Sequence, residues 1–184
     1  MLVLLAAPAA AATDAAAECL ARGEQLAGAH QYDRAIAEYN KALELKPGYA
    51  EAFNDRGHAY YWKGAGVQAI ADFTYAIHLR PNYPTAYNNR GAAHMAGGNS
   101  ARAIADLTRA LELNPGLRNA RVNRANAHLR LGHLRQSLDD FHRAGMHPER
   151  AGVAAATLLA IAALGLASRA RRRRLTASSQ VRRA

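Results

Sequence analysis

The sequence predicts an all-α protein, an array of antiparallel helix pairs followed by a C-terminal apolar helix. Three observations predict it. First, the text repeats with a fixed period. Residues 50–83 read AEAFNDRGHAYYWKGAGVQAIADFTYAIHLRPNY, and residues 84–117, 34 positions on, read PTAYNNRGAAHMAGGNSARAIADLTRALELNPGL. The frame also fits 16–49 and, more loosely, 118–147, so the array occupies 13–147 in about four units. A period of this size marks a helical-repeat array, whose units bury their apolar faces only by stacking on one another. Second, apolar and small residues inside each unit step by three and four, the spacing of one helical face. Third, helix formers, alanine above all, dominate the composition, and no alternating strand pattern stands out.

Each unit divides into two helical halves. In the unit at 50–83 the first half carries Phe53, Gly57 and Tyr60, Gly64 breaks the pattern, and the second half carries Ala69, Phe73 and Ala76. Pro81 cannot continue a helix and forces the turn. Small residues recur where two helices must approach closely, at Gly57, Ala69 and Ala76 and again at Gly91, Ala103 and Ala110. The linkers Lys46-Pro47-Gly48, Arg80-Pro81-Asn82 and Asn114-Pro115-Gly116 are proline turns that predict tight stacking without a flexible hinge.

This arrangement resembles the tetratricopeptide repeat. The first unit matches that family's pattern at Gly23, Ala35, Tyr39, Ala42 and Pro47, and the second at Phe53, Gly57, Tyr60, Ala69, Phe73, Ala76 and Pro81. The third matches at Tyr87, Gly91, Ala103, Ala110 and Pro115, with His94 and Leu107 in the aromatic places. The fourth keeps Ala125, Phe141 and Ala144 but has Arg121 early, Ser137 at an alanine place and Pro148 one residue late. The resemblance implies a right-handed superhelical array in which the first helix of each unit lines a concave groove. It implies a non-enzymatic scaffold that binds a partner protein or peptide there.

On that first helix stand Asn54 and Asp55, Asn88 and Asn89, and Asn123 in successive units. Carboxamides can both donate to and accept from an extended peptide backbone. Asn89 and Asn123 resemble rungs of the asparagine ladder in O-linked N-acetylglucosamine transferases, with Asp55 and Ala21 replacing two others. Bonding within the stack is the alternative role. Tyr61 and Trp62 are expected on the groove side, as apolar anchors or as fillers at a bend. Arg56, Arg90 and Arg124 recur at one place in three units, as an inter-helix ladder or as a face for acidic partners. The basic clamp with which some family members grip a C-terminal carboxylate is not evident, because Leu20 and Glu24 occupy its places in the first unit.

The flanks carry different signals. Residues 1–12, MLVLLAAPAAAA, resemble the back half of a secretory signal but lack a basic start. Thr13 and Asp14 are expected to cap the first helix. Residues 148–168 are expected to form an apolar helix, whose 18-residue stretch 151–168 has no charge. A helix apolar on every face belongs in a core or a bilayer, and a membrane span is preferred here over a cap or a weak homo-oligomer contact. The basic tail 169–184 follows, with Arg169, Arg171, Arg172, Arg173 and Arg174 beside the span. Clustered arginine stays cytoplasmic, so the repeats would face outward from a bacterial inner membrane; a cytoplasmic, untethered adaptor is the alternative.

The net charge of +10 is uneven: residues 151–184 hold seven arginines and no acid. The array itself is only mildly basic, so the charge does not argue for nucleic acid. The tail has no aromatic residue for base stacking, and pairing with anionic lipid explains its arginines more simply. No catalytic constellation, phosphate loop or metal-ligand spacing is present, and no cofactor is expected. His58, His94 and His128 recur once per unit and read most simply as packing residues, and the lone cysteine, Cys19, as a buried thiol.

Overall fold

The computed structural model describes residues 9–146, within which the chain forms eight helices and no strand. They fall into four pairs: α1 (Ala9–Gly28) with α2 (Tyr32–Leu45), α3 (Ala50–Trp62) with α4 (Gly66–Leu79), α5 (Pro84–Ala96) with α6 (Ser100–Leu113), and α7 (Arg118–Arg130) with α8 (Leu134–Arg143). The chain divides after Leu117 into two units, and each is described by itself. The apolar stretch 151–168, the arginines at 169–174 and residues 1–8 of the leader lie outside the described residues. Among the described residues no helix is long and apolar enough to cross a membrane.

One expectation is corrected at the start of the array. Thr13 and Asp14 do not cap α1 but sit inside it, exposed, because the helix already begins at Ala9. The alanines at 9–12 are the strongest helix formers available and carry the helix upstream of the two capping residues.

Within residues 9–117 the turn inside each pair has one construction. His30, Gly64 and Gly98 stand at the same place in their units, with φ of 58°, 77° and 80°. This left-handed residue lets the next amide reach back five residues: Gln31 N–H donates to Leu26 O at 2.9 Å, Ala65 to Tyr60 at 2.9 Å and Asn99 to His94 at 2.8 Å. The helix ends are thereby satisfied without side-chain caps. Glycine enters this region freely, and His30 is the one non-glycine described there with positive φ.

The pairs close by fitting small against large. A Cβ built on Gly23 would lie 2.4 Å from Tyr39, on Gly57 2.9 Å from Phe73, and on Gly91 2.8 Å from Leu107. Tyr39, Phe73 and Leu107 are each almost wholly buried, and full burial of such a side chain stabilises by about 1.5–3 kcal/mol. Cys19 is buried in the first of these clusters beside Leu20, Ala35 and Ile36. The first helices α1, α3 and α5 touch in succession, whereas the second helices α2, α4 and α6 touch only their neighbours in sequence. Residues 9–117 therefore bend with the first helices on the inner side.

In the second unit α7 and α8 pair in the same way. Gly132 has φ 75°, and His133 N–H donates to His128 O at 2.9 Å. Ala125 takes the place of the close-approach glycine, and Phe141, its counterpart, is only half-buried.

Candidate functional site

Behind the inner face runs a ladder of arginines. Arg56 Nε and Nη2 donate to the two carboxylate oxygens of Asp72, each at 2.8 Å, and Arg90 grips Asp106 in the same fork at 2.9 and 2.7 Å. The third guanidinium nitrogen, Nη1, reaches the preceding pair: Arg56 to Asn40 Oδ1 at 2.7 Å and Arg90 to Thr74 Oγ1 at 3.1 Å. Each arginine thus joins both helices of its own pair and ties them to the pair before. In the first pair Glu38 replaces aspartate and makes a single 3.0 Å contact with Arg22. In the second unit Arg124 forks onto Asp140 at 2.8 and 2.7 Å. The geometry makes these arginines an inter-helix ladder. Hydrogen bonding to the paired carboxylate raises the pKa of Arg56 and Arg124 against the opposing effect of burial. The partner acids could have been found by the signal that exposed the arginines, since all four stand 16 residues on.

On the inner face the asparagines bond to one another. Asn88 donates to Asn89 Oδ1 at 3.1 Å, Asn89 to Asn54 Oδ1 at 3.1 Å, and Asn54 to Asp55 Oδ1 at 2.9 Å. Asn54 is buried and backs this string, while Asp55, Asn88 and Asn89 are half-buried along it. In the second unit Asn123 is half-buried on α7.

The string ends at an open cleft of about 400 Å³ between α1 and α3. Its walls carry Glu24, His30, Tyr32, Asp55, His58 and Trp62. Burial, reinforced by the charges of Glu24 and Glu51, pushes the Asp55 carboxyl up to about 6, although the Asn54 amide opposes this. Trp62 Nε1 donates to His58 Nε2 at 2.9 Å, which makes that nitrogen the unprotonated one. Desolvation among the cleft walls lowers the His58 pKa, although the residue as a whole stays exposed. His58 is thus an exposed residue of the cleft wall, not a packing histidine. His94 is buried, and its Nδ1 has no partner among the described residues.

Tyr61 and Trp62 are brought to different places. Trp62, 57 % exposed, faces the cleft just described. Tyr61 lines another, at the junction of α3, α4 and α5, with Val67, Ile70 and Ala93. Sequence reasoning missed Tyr32 and passed over Glu24 as a cleft residue. Nothing in the spacing unites them, since they come from different helices and meet Asp55 only through packing. Among the described residues no group of three or more His, Cys, Asp or Glu could hold a metal ion.

Comparison with known proteins bears on this arrangement. Family models described as TPR repeat and tetratricopeptide repeat match residues 30–64 and 84–117. Among solved structures the chain is similar to the first TPR of Spaghetti (RPAP3) bound to HSP90 peptide SRMEEVD. That likeness has 28% identity and a TM-score of 0.63, and covers 65% of this chain and 94% of that one. The first TPR domain of the human RPAP3 protein is similar at 28% identity and a TM-score of 0.63, over 67% of this chain and 97% of that one. MamA is similar in fold alone, at 23% identity and a TM-score of 0.66 over 70% of this chain and 75% of that one. No curated protein matches the chain.

Proposed function

We propose, from the premise that this chain is a tetratricopeptide repeat protein, that it is a non-enzymatic interaction scaffold taking an extended peptide segment of a partner along the inner face of its first helices. The observation that carries this reading is the bend of residues 9–117, which sets α1, α3 and α5 side by side and leaves a polar string and an open cleft on their shared face. A similar domain is bound to a peptide, which supports the same use of the fold here. Asp55, Asn88, Asn89 and Trp62 are the proposed contacts, with Asn54 holding the string in register. Asn123 on α7 is the corresponding contact of the second unit, and Tyr61 a secondary apolar seat.

The test is selection of binders to the full chain from a random peptide display library. Peptides that bind wild type are expected to lose about tenfold in affinity to Trp62→Ala, a loss of about 1.4 kcal/mol, and to bind Arg109→Ala, an exposed change on α6, unchanged. Equal binding to all three proteins would sink the proposal.

Tethering through 151–168, with the arginines at 169–174 on the cytoplasmic side, is the topological part of this proposal and is supported by the sequence pattern alone. Fractionation checks it. The full chain should resist carbonate extraction from membranes, a chain stopped at Glu149 should not, and external protease should cut the repeats in spheroplasts. Equal solubility of both chains would make 151–168 a cap or an oligomer contact.

A further inference from the structure

The cleft between α1 and α3 is lined by two carboxylates and by no lysine or arginine. Among the described residues Glu24 makes no hydrogen bond or ion pair. Asp55 accepts one bond, from the uncharged Asn54 amide. The charges felt most strongly by Asp55 are those of Glu24 and Glu51, both of its own sign. Four basic side chains of these helix pairs are turned elsewhere: Arg22 to Glu38 and Glu18, Arg56 to Asp72, Lys63 to Asp33, and Arg80 to Glu51. His58 offers no positive charge, because its Nε2 accepts the Trp62 N–H. Two carboxylates left together in a concave site attract a charge that the protein does not supply.

The remaining walls suit one kind of cation. Trp62 and Tyr32 line the same cleft, and indole and phenol faces attract ammonium and guanidinium groups. The stem of a long basic side chain would lie against Ala27 and Gly28, which carry no polar side-chain group. We propose that this cleft receives an arginine or lysine side chain of the partner peptide, its charge held by Glu24 and Asp55 and by the faces of Trp62 and Tyr32, and its stem lying along Ala27 and Gly28. The inference rests on the groove reading above and specifies the partner's chemistry: a peptide with a basic residue at the end that reaches α1. The peptide SRMEEVD, found on the similar Spaghetti domain, carries three acidic side chains against one arginine, so its net charge is of the cleft's own sign.

The only tryptophan in the chain is Trp62, so the cleft carries its own reporter. The full chain is titrated with N-acetyl-arginine methylamide while the indole emission is followed, and in parallel with the citrulline analogue, which keeps the length without the charge, and the norleucine analogue, which keeps only an aliphatic stem. The expected result is a saturable change with the arginine compound alone, about tenfold weaker in Asp55→Asn and in Glu24→Gln, with the circular dichroism of both variants unaltered. No saturable change, an equal response to citrulline or norleucine, or binding indifferent to both substitutions overturns the proposal. The peptide selection separates this failure from failure of the groove. Groove-bound peptides without enrichment in arginine or lysine would leave the scaffold reading standing and remove the cation seat. An absence of any bound peptide would remove the groove itself.

Discussion

The second and fourth repeats are built to one plan and keep different parts of it. In the second, Phe73 is 1% exposed and lies against the bare Cα of Gly57. In the fourth, Ala125 puts a methyl where that glycine has only hydrogen, and Phe141 remains half-buried. Ala69 has its counterpart in Ser137, whose hydroxyl is buried without a partner among the described residues. The arginine fork, by contrast, is unchanged: Arg56–Asp72 closes at 2.8 Å and Arg124–Asp140 at 2.7 Å. The apolar fit has loosened while the polar staple has not. A packed ring tolerates graded displacement, whereas a buried charge that loses its partner has no intermediate state of comparable free energy.

Removing the ring should break the comparison most strongly. Phe73→Ala is expected to destabilise α3 and α4 by about 3–5 kcal/mol, and Phe141→Ala its own pair by about 1–2 kcal/mol. Amide hydrogen exchange resolved by helix is the measurement, because repeat arrays need not unfold in one step. Equal losses would mean that the half-exposed ring packs as well as the buried one. Removing the staple should instead give similar values in both repeats. Asp72→Ala and Asp140→Ala each leave a guanidinium largely out of water, at a cost of about 2–3 kcal/mol, and a difference above about 1 kcal/mol between them would contradict the conserved geometry of the fork.

Ser137→Ala should recover about 1 kcal/mol by removing the orphan hydroxyl, while Ala69→Ser should lose a similar amount. Opposite signs in thermal denaturation would confirm that the unsatisfied hydroxyl sets the effect at either site. His30→Gly should gain about 0.5–1 kcal/mol by relieving the left-handed backbone, provided this outweighs the 2.8 Å contact of His30 Nδ1 with the Tyr32 hydroxyl. A loss of stability would show that the side-chain bond dominates.

The smallest effect is in the pH dependence, because Asp55 borders an open cleft. Its folded pKa of about 6 lies above the ordinary 3.8, so the folded state binds the proton more tightly. The stabilisation this gives is complete below pH 3.8 and is lost as pH rises through 6. Asp55→Asn should therefore become progressively more stable than wild type as pH rises from 4 to about 7. A constant difference across that range would show that the carboxyl is not displaced.

The Arg56, Arg90 and Arg124 series was legible as a ladder from its period, but not its partners. The acids were visible in the same frame, and only the antiparallel pairing of the helices brings residues 16 apart into one fork. The asparagines were legible as a series on the first helices. That Asn89 bonds back to Asn54 depends on the stacking of α5 on α3.

What the sequence determined by itself is the helix pair, its turn and its repetition. These follow from interactions within a few residues: three- and four-residue apolar spacing, a left-handed residue at the turn, and a proline after each second helix. What only the tertiary structure decided is which face each side chain shares. Glu24, Tyr32, Asp55 and Trp62 belong to three helices, and their meeting depends on the angle at which one pair rests on the next. That angle is set by packing between pairs, where Ala52 and Ala59 of α3 join the buried cluster of Tyr39, Ala42 and Leu43 from α2, a non-local balance that no stretch of the chain contains.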